Sequence, residues 1–124
     1  MKKRILLTDD EPNIVLVVTK RLEIQGYEVL IARDGEEALK KARELKPDLV
    51  LLDIMLPGVD GLNVCRILKA DEATRNIPVV LFSARAQTWD KEAGREFGAN
   101  AYVEKPFQPE ELLATIEKLL KSSP

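Results

Sequence analysis

The chain of 124 residues is long enough for one domain with a sizeable buried core. Its 19 basic and 21 acidic residues leave a net charge of −2, which argues against a general nucleic-acid or membrane-surface binder. Histidine is absent, which excludes Ser-His-Asp and Cys-His catalysis and histidine-ligated metals within this chain. The single Cys65 cannot form an internal disulfide, so we expect a small buried residue in a reducing, cytoplasmic compartment. No apolar run approaches the roughly 20 residues that span a bilayer, and we expect no membrane contact.

Five short apolar runs predict β-strands, because they are rich in Val, Ile and Leu and the central ones lack polar alternation. The predicted strands are Arg4–Thr8, Tyr27–Ala32, Leu49–Asp53, Pro78–Ser83 and Ala101–Glu104. Amphipathic segments between the strands predict helices. This alternation indicates an α/β domain in which helices cover both faces of a parallel sheet.

The predicted helices are defined by apolar spacing and by capping residues. Pro12 fits the first turn of the first helix, and Gly26 ends that helix. Asp34, with Glu37 as its reciprocal partner, is the predicted N-cap of the second helix, and Asp60 is that of the third. The residues predicted to face the core are Ile14, Val18 and Leu22 in the first helix, Ala38, Leu39, Ala42 and Leu45 in the second, and Leu62, Cys65 and Leu68 in the third.

The last two predicted helices differ in the clarity of their apolar pattern. The fourth, at about residues 88–97, has Trp89 and Phe97 as its only large apolar residues and Gly94 in its interior. The last helix begins at Pro109 and has the clearest apolar stripe of the chain. That stripe consists of Leu112, Leu113, Ile116, Leu119 and Leu120.

Polar side chains stand at the carboxyl ends of four predicted strands. Asp9 and Asp10 follow the first strand, Asp53 ends the third, Ser83 ends the fourth and Lys105 follows the fifth. Parallel sheets bind ligands outside the carboxyl ends of their strands, where the strand order switches. We therefore predict that these side chains form one polar site.

The predicted site has the parts needed for phosphoryl transfer to an aspartate. Three clustered carboxylates repel, by on the order of 4 kcal/mol per contact at about 4 Å and an effective dielectric near 20. A divalent cation relieves this repulsion, and an all-oxygen site with few protein ligands suits Mg²⁺. Asp53 is the predicted nucleophile, the metal and Lys105 neutralise the phosphoryl oxygens, and the Ser83 hydroxyl donates a hydrogen bond to one of them.

With these residues placed, the chain strongly resembles the receiver domain of bacterial two-component response regulators. The resemblance covers essentially all 124 residues. It is carried, in chain order, by Asp9-Asp10-Glu11, the run from Pro47-Asp48 to Asp53, Pro57-Gly58, Asp60-Gly61, Ser83-Ala84, Gly98-Ala99, Tyr102 and Lys105-Pro106-Phe107. Each of these motifs is weak alone, whereas all of them in this order are highly specific.

The resemblance implies a flavodoxin-like (βα)5 three-layer sandwich with a parallel five-stranded sheet in the order 2-1-3-4-5. It implies one receiver domain over residues 1–124, in which residues 122–124 are a tail or the stub of a linker. Asp53 is expected to accept a phosphoryl group from a sensor histidine kinase, a histidine phosphotransfer protein or a small phosphodonor. The domain is then not expected to be an enzyme that acts on other molecules, since it catalyses only its own phosphorylation and dephosphorylation.

The resemblance also assigns the metal ligands. Mg²⁺ is expected to be held by Asp10 and Asp53, by Asp9 through water, and by the backbone carbonyl of Met55. Met55 stands two residues after the phosphoacceptor, at a position where family members vary. We hypothesise that its side chain shields the phosphoryl group from water.

The resemblance further implies a conformational switch with a protein target. On phosphorylation Ser83 is expected to move toward the phosphate, while the Tyr102 ring rotates inward. Both changes reshape the face made by the fourth helix, fifth strand and fifth helix (α4-β5-α5), which binds a downstream target protein. No direct DNA binding is expected of this chain, and we expect a monomer or a weak dimer.

Three alternatives stay open from the sequence. A haloacid-dehalogenase-type phosphatase also uses a strand-end Asp, Lys, Ser and Mg²⁺, but that class has a second Asp where Met55 stands here. A pseudo-receiver would be a binding module without phosphorylation. The chain could also be the receiver fragment of a longer regulator or a hybrid kinase.

Overall fold

A computed structural model describes residues 2–83, 95–104 and 108–122 of the chain. The elements in these ranges are β1 Arg4–Thr8, α1 Pro12–Ile24, β2 Glu28–Ala32, α2 Gly35–Leu45, β3 Leu49–Asp53, α3 Gly61–Ala70, β4 Val79–Ser83, β5 Ala101–Glu104 and the C-terminal helix Pro109–Ser122. The five predicted strands are confirmed, although β2 and β4 each begin one residue later than predicted. Most of the predicted fourth helix lies outside the described residues.

The five strands form one parallel sheet in the order β2-β1-β3-β4-β5, which confirms the predicted topology. Every residue of β3 and of β4 is buried, because these strands lie inside the sheet and helices cover both of its faces. Burial on both faces explains why their sequences read as continuous apolar runs. Among the described residues, no helix has both the length and the apolar character needed to cross a bilayer.

The core consists of two apolar layers, one on each face of the sheet. Helices α2 and α3 pack on one face, through Ala38, Ala42, Val64, Cys65 and Leu68. Helix α1 and the C-terminal helix pack on the other, through Val15, Val18, Leu22, Leu112 and Ile116. The helix–sheet–helix arrangement confirms the predicted three-layer α/β fold.

Two predicted core positions, one at the start of α1 and one at the end of α2, are less buried than the apolar spacing predicts. In α1 the buried residue of the first turn is Val15 rather than Ile14, which is only partly buried at the edge of the stripe. Val15 lies three residues before Val18, on the helix face that packs against the sheet. Ile14, four residues before Val18, lies at the edge of that face. Leu45 is exposed because it is the last residue of α2, and the next residue, Lys46, turns the chain away with a positive φ of 45°.

Both predicted aspartate caps are present. The Glu37 N–H donates to Asp34 Oδ1 at 2.8 Å, and the Asn63 N–H donates to Asp60 Oδ1 at 3.0 Å. The reciprocal bond of α2 differs from the predicted one, because Glu37 Oε1 accepts from the N–H of Arg33, one residue before the cap. These caps fix the chain direction at the carboxyl edge of the sheet, where the predicted site lies.

The chain that leads into β5 is fastened to α3 and to β4. The Cys65 thiol lies 3.5 Å from the Phe97 carbonyl oxygen, and burial raises the pKa of this thiol to about 11. Asn100 exchanges two hydrogen bonds with Val79, one through its backbone N–H and one through its side-chain oxygen, each of 2.8 Å. Cys65 is therefore buried in a structural role, as the sequence predicts.

Candidate functional site

The acidic site forms where β1 and β3 end side by side. Thr8 of β1 pairs with Leu52 of β3, so the residues that follow them, Asp9 and Asp53, are brought to the same level of the sheet. Asp10 extends the same strand end by one residue. The parallel pairing alone therefore places residues that are more than 40 positions apart in one cluster.

The carboxylates of Asp9, Asp10 and Asp53 each have an oxygen within 4.8 Å of an oxygen of the other two. Asp9 is fully buried and Asp53 is 5% exposed, whereas Asp10 is exposed to solvent. The cluster therefore has two acids inside the protein and one acid at its entrance. At such separations each pair of negative charges repels by about 1–3 kcal/mol, for dielectrics between bulk water and a protein surface.

Backbone hydrogen bonds hold the two buried acids in place. The Asp9 N–H donates to the Ala32 carbonyl at 3.1 Å, and Asp9 Oδ1 accepts from the Glu11 N–H at 2.8 Å. Asp53 Oδ1 accepts from the Met55 N–H at 3.0 Å. Each carboxylate therefore has a fixed orientation set by the strand end and by the first residues of the following loop.

The loop after β3 carries Met55 past the acidic cluster. Ile54 continues the ladder, since its N–H donates to the Phe82 carbonyl of β4 at 3.2 Å. The Met55 side chain is 56% exposed, beside a groove whose wall also includes Leu62 of α3. Its backbone N–H donates to Asp53 Oδ1, which joins the first turn of this loop to the acidic cluster.

Ser83 ends β4, the strand next to β3, and Tyr102 lies in β5, which pairs with β4. Phe82 pairs with Asp53, so Ser83 stands one residue beyond the level of the phosphoacceptor candidate, and it is fully buried. Tyr102 pairs with Leu81 and packs, partly buried, against the core layer of α2 and α3. The predicted Lys105 lies outside the described residues.

The chemistry of the donor set fits a hard divalent cation. All three donors are carboxylates, which Mg²⁺ and Ca²⁺ prefer over softer ligands. The exposed Asp10 leaves the cluster accessible from solvent, and a bound cation would offset the repulsion among the acids. Of the predicted residues, the structure thus brings three acids together and places Met55 and Ser83 on adjoining segments.

Comparison with known proteins agrees with this fold and site. The family model of the response regulator receiver domain matches residues 5–117. The chain therefore belongs to the response regulator receiver domain family, the signalling domains of two-component phosphorelays. The match covers the cluster of acids and every strand residue except Arg4, the first residue of β1.

Two curated relatives are similar along almost the whole chain. The DNA-binding response regulator MtrA of Mycolicibacterium smegmatis is 45% identical over 121 residues, which cover 98% of this chain and 52% of MtrA. The alkaline phosphatase synthesis transcriptional regulatory protein PhoP of Bacillus subtilis is 45% identical over 123 residues, which cover 99% of this chain and 50% of PhoP. The chain thus spans about half the length of these relatives.

Solved structures show the same architecture. The receiver domain of the Francisella response regulator 1452 superposes with a TM-score of 0.93 at 30% identity, covering 99% of this chain and 100% of that one. The receiver domain of the sensor histidine kinase PA1611 from Pseudomonas aeruginosa superposes with a TM-score of 0.91 at 32% identity, covering 98% and 100%. The PA1611 structure holds a magnesium ion coordinated in its active-site cleft.

The repulsion among the three acids predicts a gain of stability when one of them is neutralised. In metal-free buffer, Asp53→Asn should raise the free energy of unfolding by about 1–3 kcal/mol, since it removes one of the two buried charges of the cluster. Urea denaturation with EDTA present measures the change. The same substitution should weaken the stabilisation that millimolar Mg²⁺ gives the unmodified protein.

Asp34→Asn is the matched control for this prediction. Asp34 stands at the same edge of the sheet but outside the acidic cluster, and asparagine caps a helix as well as aspartate does. Its stability and its response to Mg²⁺ should match those of the unmodified protein. An Asp53→Asn variant that is less stable than this control without metal would show that the acids do not repel as described.

Proposed function

We propose that this receiver domain signals by reversible, Mg²⁺-dependent phosphorylation of Asp53. The observation that carries the proposal is the cluster of three carboxylates at the ends of β1 and β3, with the two inner acids buried and fixed by backbone N–H groups. A buried acid cluster that opens to solvent at one acid is suited to a cation and an anionic substrate together. The match to the receiver family supports the same chemistry.

The carboxylates of Asp10 and Asp53 and the backbone carbonyl of Met55 are the proposed direct ligands of Mg²⁺. Asp9 is proposed to bind the cation through a water molecule. When bound, the cation neutralises charge on the equatorial oxygens of the phosphoryl group. The magnesium ion in the PA1611 receiver supports this assignment for a relative of the same fold. The all-carboxylate donor set of the present chain supports it independently.

Asp53 is the proposed nucleophile. A carboxylate is ionised at neutral pH and therefore needs no general base. One of its oxygens bonds to phosphorus while the bond from phosphorus to the donor nitrogen or oxygen breaks, and the electron pair of that bond leaves with the donor. The Met55 N–H holds Oδ1 of the carboxylate, which fixes the direction of attack. Ser83 and Lys105 are the proposed hydrogen-bond and charge partners of the transferred group.

The proposed phosphodonor is a sensor histidine kinase, a histidine phosphotransfer protein or a small acyl phosphate. The domain itself then catalyses only the gain and loss of its own phosphoryl group. Phosphorylation is proposed to draw Ser83 and Tyr102 toward an active arrangement. It is also proposed to change the α4-β5-α5 face, which consists of the predicted fourth helix, β5 and the C-terminal helix, for binding of a target protein. Tyr102 packs on the core layer of α2 and α3, next to the strand that carries Ser83, which supports such coupling.

The proposal applies to one receiver unit of residues 1–124. Within this unit we propose no direct contact with DNA, a monomer or weak dimer, and a cytoplasmic location like that expected of bacterial response regulators. The relatives MtrA and PhoP are regulators about twice as long as this chain. The fragment of a longer regulator therefore stays an alternative, whereas the family match disfavours the phosphatase.

Treatment with acetyl phosphate and Mg²⁺ tests the phosphoacceptor directly. The unmodified protein should gain the mass of one phosphoryl group, because the Asp53 carboxylate is the proposed nucleophile beside a cation site. Asp53→Asn should gain none, and the omission of Mg²⁺ should abolish labelling. Intact-protein mass spectrometry at short times measures all three.

The other outcomes of this experiment separate the alternatives. Absence of labelling in the unmodified protein with Mg²⁺ present would favour the pseudo-receiver. Many turnovers of a generic phosphate ester would favour the phosphatase. Labelling that persists in Asp53→Asn would place the phosphoacceptor elsewhere.

Met55 is predicted to set the lifetime of the phosphoryl group. Its apolar side chain is 56% exposed, two residues after the phosphoacceptor, and we propose that it covers the aspartyl phosphate. Met55→Asn replaces this cover with a group that can hydrogen-bond a water molecule, and we expect dephosphorylation about 10-fold faster, or about 1.4 kcal/mol of barrier. Loss of the phosphoryl mass over time measures the rate. Met55→Leu, which keeps an apolar cover, should retain the slow rate, and an unchanged rate in Met55→Asn would contradict the shielding role.

A further inference from the structure

The first residue of α3 touches the backbone of the phosphoacceptor candidate. A β-carbon added to Gly61 would lie 2.2 Å from the Asp53 carbonyl oxygen, 2.6 Å from the Ile54 Cα and 2.9 Å from the Asp53 carbonyl carbon. All three atoms belong to the main chain, so no flexible side chain can move aside. Only the absence of a side chain at Gly61 allows this contact between helix and strand.

Several backbone hydrogen bonds accompany this contact at the end of β3. The Gly61 N–H donates to the Ile54 carbonyl at 2.8 Å, and the Leu56 N–H donates to the same oxygen at 3.2 Å. On the other side, the Ile54 N–H donates to the Phe82 carbonyl of β4 at 3.2 Å. Ile54 is thereby held from both sides, by α3 and by the neighbouring strand.

The position of Ile54 determines where the acid and its loop lie. Asp53 precedes it and Met55 follows it, and these two residues are joined by the hydrogen bond from the Met55 N–H to Asp53 Oδ1. A shift of the peptide between Asp53 and Ile54 would move the carboxylate and the Met55 carbonyl at the same time. Both belong to the proposed metal and phosphate site.

We propose that Gly61 is a positioning residue, which sets the Asp53 carboxylate and the Met55 backbone for cation binding and phosphoryl transfer. This inference rests on the proposed function of Asp53. The role depends on close approach and not on backbone conformation, because Gly61 is absent from the residues with positive φ, whereas Gly26, Gly58 and Gly98 are among them. Any side chain at position 61 must push the end of β3 away from α3.

The test compares Gly61→Ala with Gly26→Ala. Gly26 has a φ of +93° and open space around the position of an added β-carbon, and it precedes β2 at the edge of the sheet opposite the acids. Alanine there is strained and should lower the melting temperature without reaching the site. The pair therefore separates loss of stability from displacement of the site.

Three measurements are made on each full-length variant: Mg²⁺ affinity by calorimetry, the labelling rate with acetyl phosphate, and hydrogen exchange of the Met55 amide without metal. In Gly61→Ala, a misplacement of the reacting carboxylate should slow labelling by about 10–100-fold, and Mg²⁺ should bind more weakly. The Met55 amide should exchange faster, because its bond to Asp53 is disturbed. Gly26→Ala should match the unmodified protein in all three.

The outcomes are decisive in both directions. Near-normal Mg²⁺ affinity and labelling in a folded Gly61→Ala protein would overturn the proposal, as would equal losses in both variants. If Gly61→Ala does not fold, the role of Gly61 is tested in the unmodified protein by hydrogen exchange and NMR. The Gly61 amide should be protected from exchange, and its resonance should shift when Mg²⁺ is added. An unprotected Gly61 amide that ignores Mg²⁺ would overturn the role. Absence of labelling in the unmodified protein would instead contradict the proposed function. The exchange and metal-binding measurements would still test the positioning role of Gly61.

Discussion

Repulsion among three carboxylates is the constraint around which the carboxyl edge of the sheet is organised. The acids of Asp9, Asp10 and Asp53 lie within 4.8 Å of one another, and two of them are removed from solvent. An arrangement of this kind opposes folding, so it persists only because the rest of the domain is stable enough to hold it. The same repulsion would favour the binding of a cation, since a divalent ion held by the three acids would convert a destabilising cluster into a stabilising one.

The domain holds this cluster through rigid parts rather than through side-chain contacts alone. β3 is buried along its whole length between two apolar layers, which fixes the position of its last residue. Backbone N–H groups orient Asp9 and Asp53, and the first residue of α3, Gly61, abuts the carbonyl of Asp53. A site built on strand ends and a helix start is more exactly placed than one built on free loops. Because the surrounding elements are rigid, a local change of charge at this site on phosphorylation can displace them as units.

Most of the fold followed from the sequence because burial on both faces leaves a strong pattern. Continuous apolar strands between amphipathic helices predicted a parallel sheet covered on both faces, and the resemblance to receiver domains implied the strand order. The strand-end acids were predicted to cluster because parallel strands end at one edge. The errors concern details that depend on packing angle: Val15 rather than Ile14 faces the sheet, and Leu45 is exposed where the chain turns away. The contact of Gly61 with Asp53 has no periodic signal at all, since it arises from the approach of two backbones eight residues apart. An Asp-Gly pair at a helix start was the only available hint.

In the proposed mechanism, the acids at the ends of β1 and β3 act together as one cation site. Titration calorimetry of the metal-free protein with Mg²⁺ tests it most directly when the unmodified chain is compared with Asp10→Asn. Asp10 is exposed, so its substitution should leave the core intact while it removes one ligand charge. One Mg²⁺ should bind per chain of the unmodified protein, and the variant should bind it with much lower affinity. Unchanged Mg²⁺ binding after the substitution would contradict it.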